Sequence, residues 1–486
     1  MSAVGSILTN AGALRALGAI AATTSTANTL EAEVSSGLAI GSPADNPAGY
    51  ITAQGFTSQL GGIAQAISNA NQGVSLLQTA QGAIGQQIGL VQQLNAIAVQ
   101  AANGTETAAE ARALQLVAGQ LTAQVNDIAS QTQFNGINLL DGGFNGVQLQ
   151  VGAEEGETQT LSIADLRANA IGLYHSNLRA GANGSDFYGS GIGTLALGSA
   201  LPTTGKFSVG SVTINGPTGG TAAIGVTSST ESAASLASAV NKVAGTTGVR
   251  AVASNKISAF FAAAKPGSGY AFTLQASQGG SNGLIGTAQS FAAGSTAGLV
   301  SQINGRSSAT GITASWTPFA KGSGLLNLSQ SSGENIALSA LTEPGLAVAV
   351  TAIYQGHVQL QSSASFSVGN GAAIGLEASS TLTPLSDIDV GTVAGANTAI
   401  NVVKYALARL GDQAGQLGAA QQALVATTDT LDTSSQNLSS ALGVVQDANI
   451  PAVSQGLTQA QIAAQAGVAA LKSSTALQQS FLSLLP

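Results

Sequence analysis

Hydrophobic positions recur at alternating steps of three and four from Ile400 to Val445, a spacing that holds one apolar stripe on one face of a long helix. One column of that stripe, Val403, Leu410, Leu417, Leu424, Leu431, Leu438 and Val445, is large and aliphatic throughout. The other turns small or polar in its middle, at Ala414, Gln421, Thr428 and Ser435. At 1.5 Å per residue the helix would span roughly 70 Å, too long to stand alone in a compact domain. It requires a partner of similar length, and the matching pattern lies far upstream. Val74, Leu77, Ile84, Ile88, Val91 and Ala98 recur at helical spacing, and Asn103-Gly104-Thr105 stops that helix. Thr107, with Glu110 three residues on, starts another that carries Leu114, Val117, Leu121, Val125 and Ile128. The expected packing core is therefore Val403, Leu410, Leu417, Leu424, Leu431 and Leu438 against Val74, Leu77, Ile84, Ile88, Val91 and Leu121.

Outside this pairing the pattern changes twice. Val4, Ile7, Leu14, Leu17, Ala21, Leu30 and Val34 predict an alanine-rich amphipathic helix that packs only on assembly. A turn-rich hinge, Ser35–Gly49, follows it. Gln131–Leu140 ends the helical run, with Phe134 and Ile137 as expected buried anchors around an Asn135-Gly136 turn, and Val147–Val151 alternates as a strand. From about Leu166 to Thr392 glycine, serine and threonine rise, and short alternating runs appear at Phe207–Ile214, Tyr270–Gln275, Leu325–Ser329 and Phe366–Val368. This stretch contains an internal repeat: residues 236–251 align without gaps to 299–314. Leu236, Val240, Asn241 and Thr247-Gly248-Val249 match Leu299, Ile303, Asn304 and Thr310-Gly311-Ile312. Each copy predicts a short helix, a Thr-Gly turn and a strand, followed by Gly-Ser-Gly at Gly267 or Gly322 and a further strand. Near the end, Asp447–Pro451 breaks the chain, a last helix runs from Val453 to about Leu471, and Phe481–Leu485 forms an apolar tail expected to be buried against another chain.

Charge is scarce, with 14 basic and 22 acidic residues among 486, and between Asn46 and Thr105 there is no Asp, Glu, Lys, Arg or His. The absence of a basic tract argues against a nucleic-acid partner. No run of about 20 strongly apolar residues predicts a membrane span. The first residues lack the basic-then-apolar order of a secretory signal, and the chain has no cysteine. His175 and His357 stand in no metal-ligand or nucleophile pattern and are expected in solvated loops or turns, and Glu154, Glu155 and Glu157 read as a solvated acidic turn. Tyr188, Tyr270, Trp316 and Tyr354 are expected as core or turn residues rather than as a sugar-binding platform. No catalytic, cofactor-binding or metal-binding residue is assigned, and no cofactor is expected.

Several ordered motifs carry a resemblance. Ser35–Leu38, Asp45–Gly49, Asn69–Ser75, Ala98–Asn103 and Thr132–Gly136 with Leu139-Leu140 stand at one end. Ala460–Ile462, Gln465–Gly467 and Leu482–Leu485 stand at the other. Over roughly 1–160 and 395–486 the chain resembles bacterial flagellin. The resemblance implies an α+β fold in which N- and C-terminal segments pair as long antiparallel helical hairpins or a coiled coil around an inserted β-rich variable domain. It divides the chain into 1–40 and 453–486, an inner filament core; 41–165 and 395–452, a helical outer core; and 166–394, the surface-exposed insert. It implies a structural subunit of the motility filament, with the hook–filament junction protein and a flagellin-like adhesin as alternatives. The implied partners are other copies of itself, hook-associated and cap proteins and an export chaperone, with no nucleic acid and no membrane. The implied location is the extracellular filament, reached through the flagellar secretion channel without signal cleavage.

Departures from the family pattern follow the loss of charge. Ala39 stands where a basic residue is usual, and Gln446 to Pro451 lack the usual acidic pair and aromatic. In the segment read by the flagellin-sensing Toll-like receptor, Gln93 and Asn95 replace arginines and Ala96 replaces a glutamate, while Val91, Leu94 and Val99 keep the expected apolar face. The resemblance then implies weak recognition, because an amide cannot reproduce the five-donor guanidinium fork.

Overall fold

The computed structural model describes residues 11–178, 208–217, 219–227, 232–261, 270–277, 284–318, 324–343, 346–347, 352–354 and 356–482. Its helices in chain order are α1 (Ala11–Ser36), α2 (Pro47–Ala101), α3 (Ala108–Gln131), α4 (Ala233–Lys242), α5 (Ala244–Thr247), α6 (Thr296–Gly305), α7 (Ser307–Thr310), α8 (Val393–Gln446) and α9 (Ile450–Leu482). Long helices at both ends enclose an inserted antiparallel β-sheet region, an α+β fold. Val4, Ile7, Tyr188, Gly267, Gly322 and the tail beyond Leu482 lie outside the described residues.

The helix boundaries follow local chemistry. α2 begins earlier than its leucine pattern indicates, because Pro47 supplies a preset φ at the first helical position and the Asn46 side chain accepts the Gly49 N–H at 3.0 Å. α3 opens with a reciprocal capping box: Thr107 Oγ1 accepts from the Glu110 N–H, and Glu110 Oε2 accepts from the Thr107 N–H at 2.7 Å.

The chain divides into two compact units. The first holds the described residues of 1–78, 146–162 and 418–486. In it α1 and α9 pair antiparallel, with Gly456 against Leu30 and Gly467 against Ile20. A Cβ at Gly467 would stand 2.7 Å from Ile20 Cγ1, so glycine permits this close approach. The two linkers that follow α1 and precede α9 are joined as well. Leu38 and Asp447 form an antiparallel bridge, with Ala39 N–H donating to Gln446 O at 2.7 Å and Ala448 N–H to Gly37 O at 2.9 Å. The Gln446 carboxamide adds a bond to Ile40 O. A hairpin of Val147–Gln150 and Thr158–Leu161 lies against α2: Asn69 Nδ2 donates to Gln150 O, and Leu149 and Leu424 meet over Gly73.

The second unit holds the described residues of 79–145 and 163–417. Its helical part encloses the fully buried Leu94, Leu139, Leu140, Phe144, Ile163 and Leu166. Phe134 and Ile137 face each other across a two-residue hairpin whose central Asn135 and Gly136 both have positive φ, 51° and 78°. That tight turn carries both side chains away from the core: Ile137 is 53% exposed and Phe134 half-buried. Leu139 and Leu140, beyond the hairpin, are the anchors in their place.

Among the described residues the insert forms two antiparallel sheets. The nine-stranded sheet runs, in spatial order, Ile312–Pro318, Gly324–Gln330, Arg250–Phe261, His357–Ser362, Gly172–Leu178, Leu376–Pro384, Ser367–Gly369, Gly210–Asn215 and Thr221–Val226. The five-stranded sheet pairs Leu284–Ala293, Tyr270–Ser277 and Asn335–Glu343, with Leu346–Ala347 and Ala352–Tyr354 both on the last. Each repeat copy is a helix, a single turn closed by a left-handed glycine, and a strand: α4, α5, Gly248 and Arg250–Phe261, then α6, α7, Gly311 and Ile312–Pro318. Each copy seeds one apolar core. Leu236 and Val240 sit in the first, and Leu299, Ile303 and Ile312 in the second with Phe272 and Phe291.

Both histidines lie in strands rather than in loops. His175 is in Gly172–Leu178, its Nδ1 3.4 Å from Thr383 Oγ1. His357 is in His357–Ser362, directly across from Ser254, with Nε2 3.1 Å from Ser254 Oγ. Burial, and secondarily the charge of Lys256, hold the His357 pKa below its usual value and favour the neutral ring.

Candidate assembly surface

The terminal helices leave several of their apolar positions exposed. No residue of α1 is buried; Leu14 is 62% exposed, and Leu17 and Val34 are exposed with it. On α9, Ala460 is buried, whereas Ile462 at 60%, Leu477 at 58%, Val468 and Ile450 are exposed. Polar relief is slight, since α9 carries one charge, Lys472, and α1 carries Arg15, Glu31 and Glu33. Exposed apolar side chains spread along two paired, nearly uncharged helices mark a protein interaction surface. Each Å² removed from water there contributes about 25 cal/mol. The antiparallel pairing of α1 with α9 presents both helices together.

The residues expected from the sequence divide by depth. Val403, Leu410, Leu417, Leu424, Leu77, Ile84, Val91 and Leu121 are buried, and Val74, Ile88, Leu431 and Leu438 are half-buried. On α3 Val117 is exposed and Ala118 takes a buried place. In the stretch compared above with the receptor-read segment of flagellins, Gln93 and Ala96 are exposed, Asn95 is half-buried, and Val91 and Leu94 are buried. Val99, expected on the same covered face, is 54% exposed, because it follows Ala98, the buried member of that turn.

Three glutamines in the helical part of the second unit were not singled out by sequence. Gln87 Nε2 donates to Val125 O at 2.9 Å and to Leu166 O at 3.2 Å. Gln413 Oε1 accepts from the Ala164 N–H at 3.1 Å. Gln115 donates to Ile388 O and accepts from the Val390 N–H. These carboxamides tie the non-helical segments at 164–166 and 388–390, where the chain enters and leaves the insert, to the long helices. The available signal was Gln87, a polar residue within the apolar Ile84–Val91 stripe. Elsewhere carboxylates serve turns: Asp45 accepts from Gly41 N–H, Ser42 N–H and Ser42 Oγ, and the Ser42 backbone bond foremost lowers its pKa. Arg167 pairs with Asp165 at 2.7 Å on the surface.

Among the described residues no helix is long and apolar enough to cross a membrane, and no group of three or more His, Cys, Asp or Glu is placed to hold a metal ion. Paired, charge-poor terminal helices with exposed apolar side chains, in a chain with a sheet-rich insert, define a structural, self-associating class of protein. Residues 7–145 match the bacterial flagellin N-terminal helical region, and residues 400–485 match the bacterial flagellin C-terminal helical region. The chain is 29% identical to the B-type flagellin of Pseudomonas aeruginosa over 94% of its own length and 95% of that protein's. It is 36% identical to flagellin B of Vibrio cholerae over 30% of its length and 39% of that protein's. A solved structure of FliC from Burkholderia pseudomallei aligns at 20% identity over 72% of this chain and 99% of that one, with a TM-score of 0.29. The chain belongs to the bacterial flagellin family, a family of structural proteins.

Proposed function

We propose that this chain is the subunit that polymerises into the flagellar filament used for motility, α1 and α9 burying their exposed apolar faces against other copies. The observation that carries this reading is the paired, nearly uncharged α1 and α9 with Leu14, Leu17, Ile462, Val468 and Leu477 exposed. Residues 1–40 and 453–486 then act as the inner core, 41–165 and 395–452 as the outer core, and 166–394 as the displayed insert. Export through the flagellar secretion channel, with a chaperone, and contacts to hook-associated and cap proteins at the filament ends complete the reading. They are supported by the family membership. No catalysis is assigned to the chain.

Introducing a charge into the exposed face tests it. Val468→Glu places a carboxylate in a face that must be dehydrated on assembly, at a cost of several kcal/mol for an unpaired ion. Sedimentation and negative-stain microscopy should show wild-type filaments and little polymer from Val468→Glu, with unchanged circular dichroism of the monomer. Wild-type polymer yield from this variant would overturn the assignment of the surface.

A further inference from the structure

The two repeat copies share one device and differ in another. In each, an asparagine on the helix spans both backbone groups of a strand residue ten positions on. Asn241 accepts from the Ala251 N–H and donates to Ala251 O, both at 2.9 Å. Asn304 accepts from the Ala314 N–H at 2.7 Å and donates to Ala314 O at 2.9 Å. A threonine completes each set: Thr247 Oγ1 accepts from Val249 N–H and Thr310 Oγ1 from Ile312 N–H.

The settings are unequal. The first copy's strand, Arg250–Phe261, lies inside the nine-stranded sheet, bonded to His357–Ser362 along 250–254 and to Gly324–Gln330 along 255–261, and at Ala251 its other flank is taken by Asn241. The second copy's strand, Ile312–Pro318, is an edge, paired only to Gly324–Gln330. Ile312 and Ala314 stand two apart and present backbone groups to the same side. Their partners come from Thr310 and Asn304, and farther along that side Pro318 has no N–H to offer. The strand before α6, Leu284–Ala293, is likewise an edge, of the five-stranded sheet. There Gln302 Nε2 donates to Ala292 O and Arg306 Nη1 to Ser290 O, both at 2.8 Å. Ser290 and Ala292 are again two apart. Arg306 also lies over the Phe291 ring, 5.2 Å from its centroid, which fixes the guanidinium at the edge. At the aligned positions of the first copy stand Ala239 and Val243, which pack into the apolar core and reach no edge.

We infer that the second repeat is an edge guard: α6 and Arg306 occupy open edges of both sheets with side-chain amide, hydroxyl and guanidinium groups, and so deny them to strands of a second copy of this chain. The shared asparagine and threonine build the module. The additional Gln302 and Arg306 appear in the copy that lies between two edges. Unpaired edges template pairing with other chains, and a polymer brings many identical inserts to high local concentration.

The full-length chain tests this with a readout blind to helix-driven polymerisation: thioflavin fluorescence together with the infrared band of intermolecular antiparallel sheet. Gln302→Ala with Arg306→Met removes the donors at Leu284–Ala293 while keeping an apolar stem over Phe291. Asn304→Ala frees the Ile312–Pro318 edge. Leu236→Ala leaves a cavity in the first copy's core without opening an edge and is the control for lost stability. Both guard variants are expected to show a several-fold, concentration-dependent rise in both signals, and Leu236→Ala none. Wild-type signals from the guard variants would overturn the inference. An equal rise from Leu236→Ala would also overturn it, because association would then follow destabilisation rather than an opened edge.

Discussion

At the scale of single residues, depth along α8 separates side chains that the heptad pattern treats as equal. Leu410, Leu417 and Leu424 are buried, while Leu431 and Leu438 are only half-covered by their own chain. Truncating a fully buried leucine costs about 2–5 kcal/mol, from lost transfer energy and the cavity left behind. Leu424→Ala should therefore lower the melting temperature of the monomer clearly, and Leu438→Ala much less. Equal shifts in a calorimetric scan would show that the stripe is covered uniformly. The sequence displayed the stripe but not where its cover ends, since periodicity records which face is apolar and not what lies over it. Ile137 and Val99 fall under the same limit, as apolar residues whose exposure is decided by a hairpin tip and by a neighbouring alanine.

At the scale of elements, the most legible features were those with local chemistry. The Thr107–Glu110 capping box, the Asn135-Gly136 turn and the helix–turn–strand form of the repeats all depend on residues a few positions apart. The glutamine ties were illegible because they join positions as distant as 115 and 388. The capping box carries a pH signature. The backbone bond from Thr107 foremost holds the Glu110 pKa below its ordinary 4.5. A carboxylate depressed in the folded state contributes stability that is present above its unfolded value and is lost as pH falls through the folded one. Hydrogen exchange at the start of α3 should accelerate as pH is lowered below about 4.5, after correction for intrinsic rates. In Thr107→Ala, which loses about 1 kcal/mol of capping, that dependence should weaken. Retention of the full pH response in the variant would place its origin elsewhere.

At the scale of the whole molecule, the division into apolar, charge-poor ends and a glycine- and threonine-rich middle was plain in composition. The insert's strand order was not, because pairing such as Gly172–Leu178 with Leu376–Pro384 crosses most of the insert. The scarcity of charge has a collective consequence. Residues 46–105 contain no Asp, Glu, Lys, Arg or His, so contacts made by this stretch are apolar or amide in kind. Exposed ion pairs are screened by salt and lost as carboxylates protonate, whereas these contacts are not. Filaments of this chain should persist at acid pH and high salt where those of a charge-rich flagellin dissociate, as light scattering during parallel titrations would record. Dissociation of both at the same pH would rule out this origin of resistance.

The bridge between Leu38 and Asp447 makes the intervening chain a closed excursion that leaves and returns at a single backbone-bonded gate. Closing such a loop costs entropy that grows only with the logarithm of its length, about 0.6 kcal/mol for each doubling. Evolution can therefore lengthen, shorten or exchange what lies far from the gate at little thermodynamic penalty. The ends of the chain stay answerable to their neighbours in the polymer, while the middle is free to change.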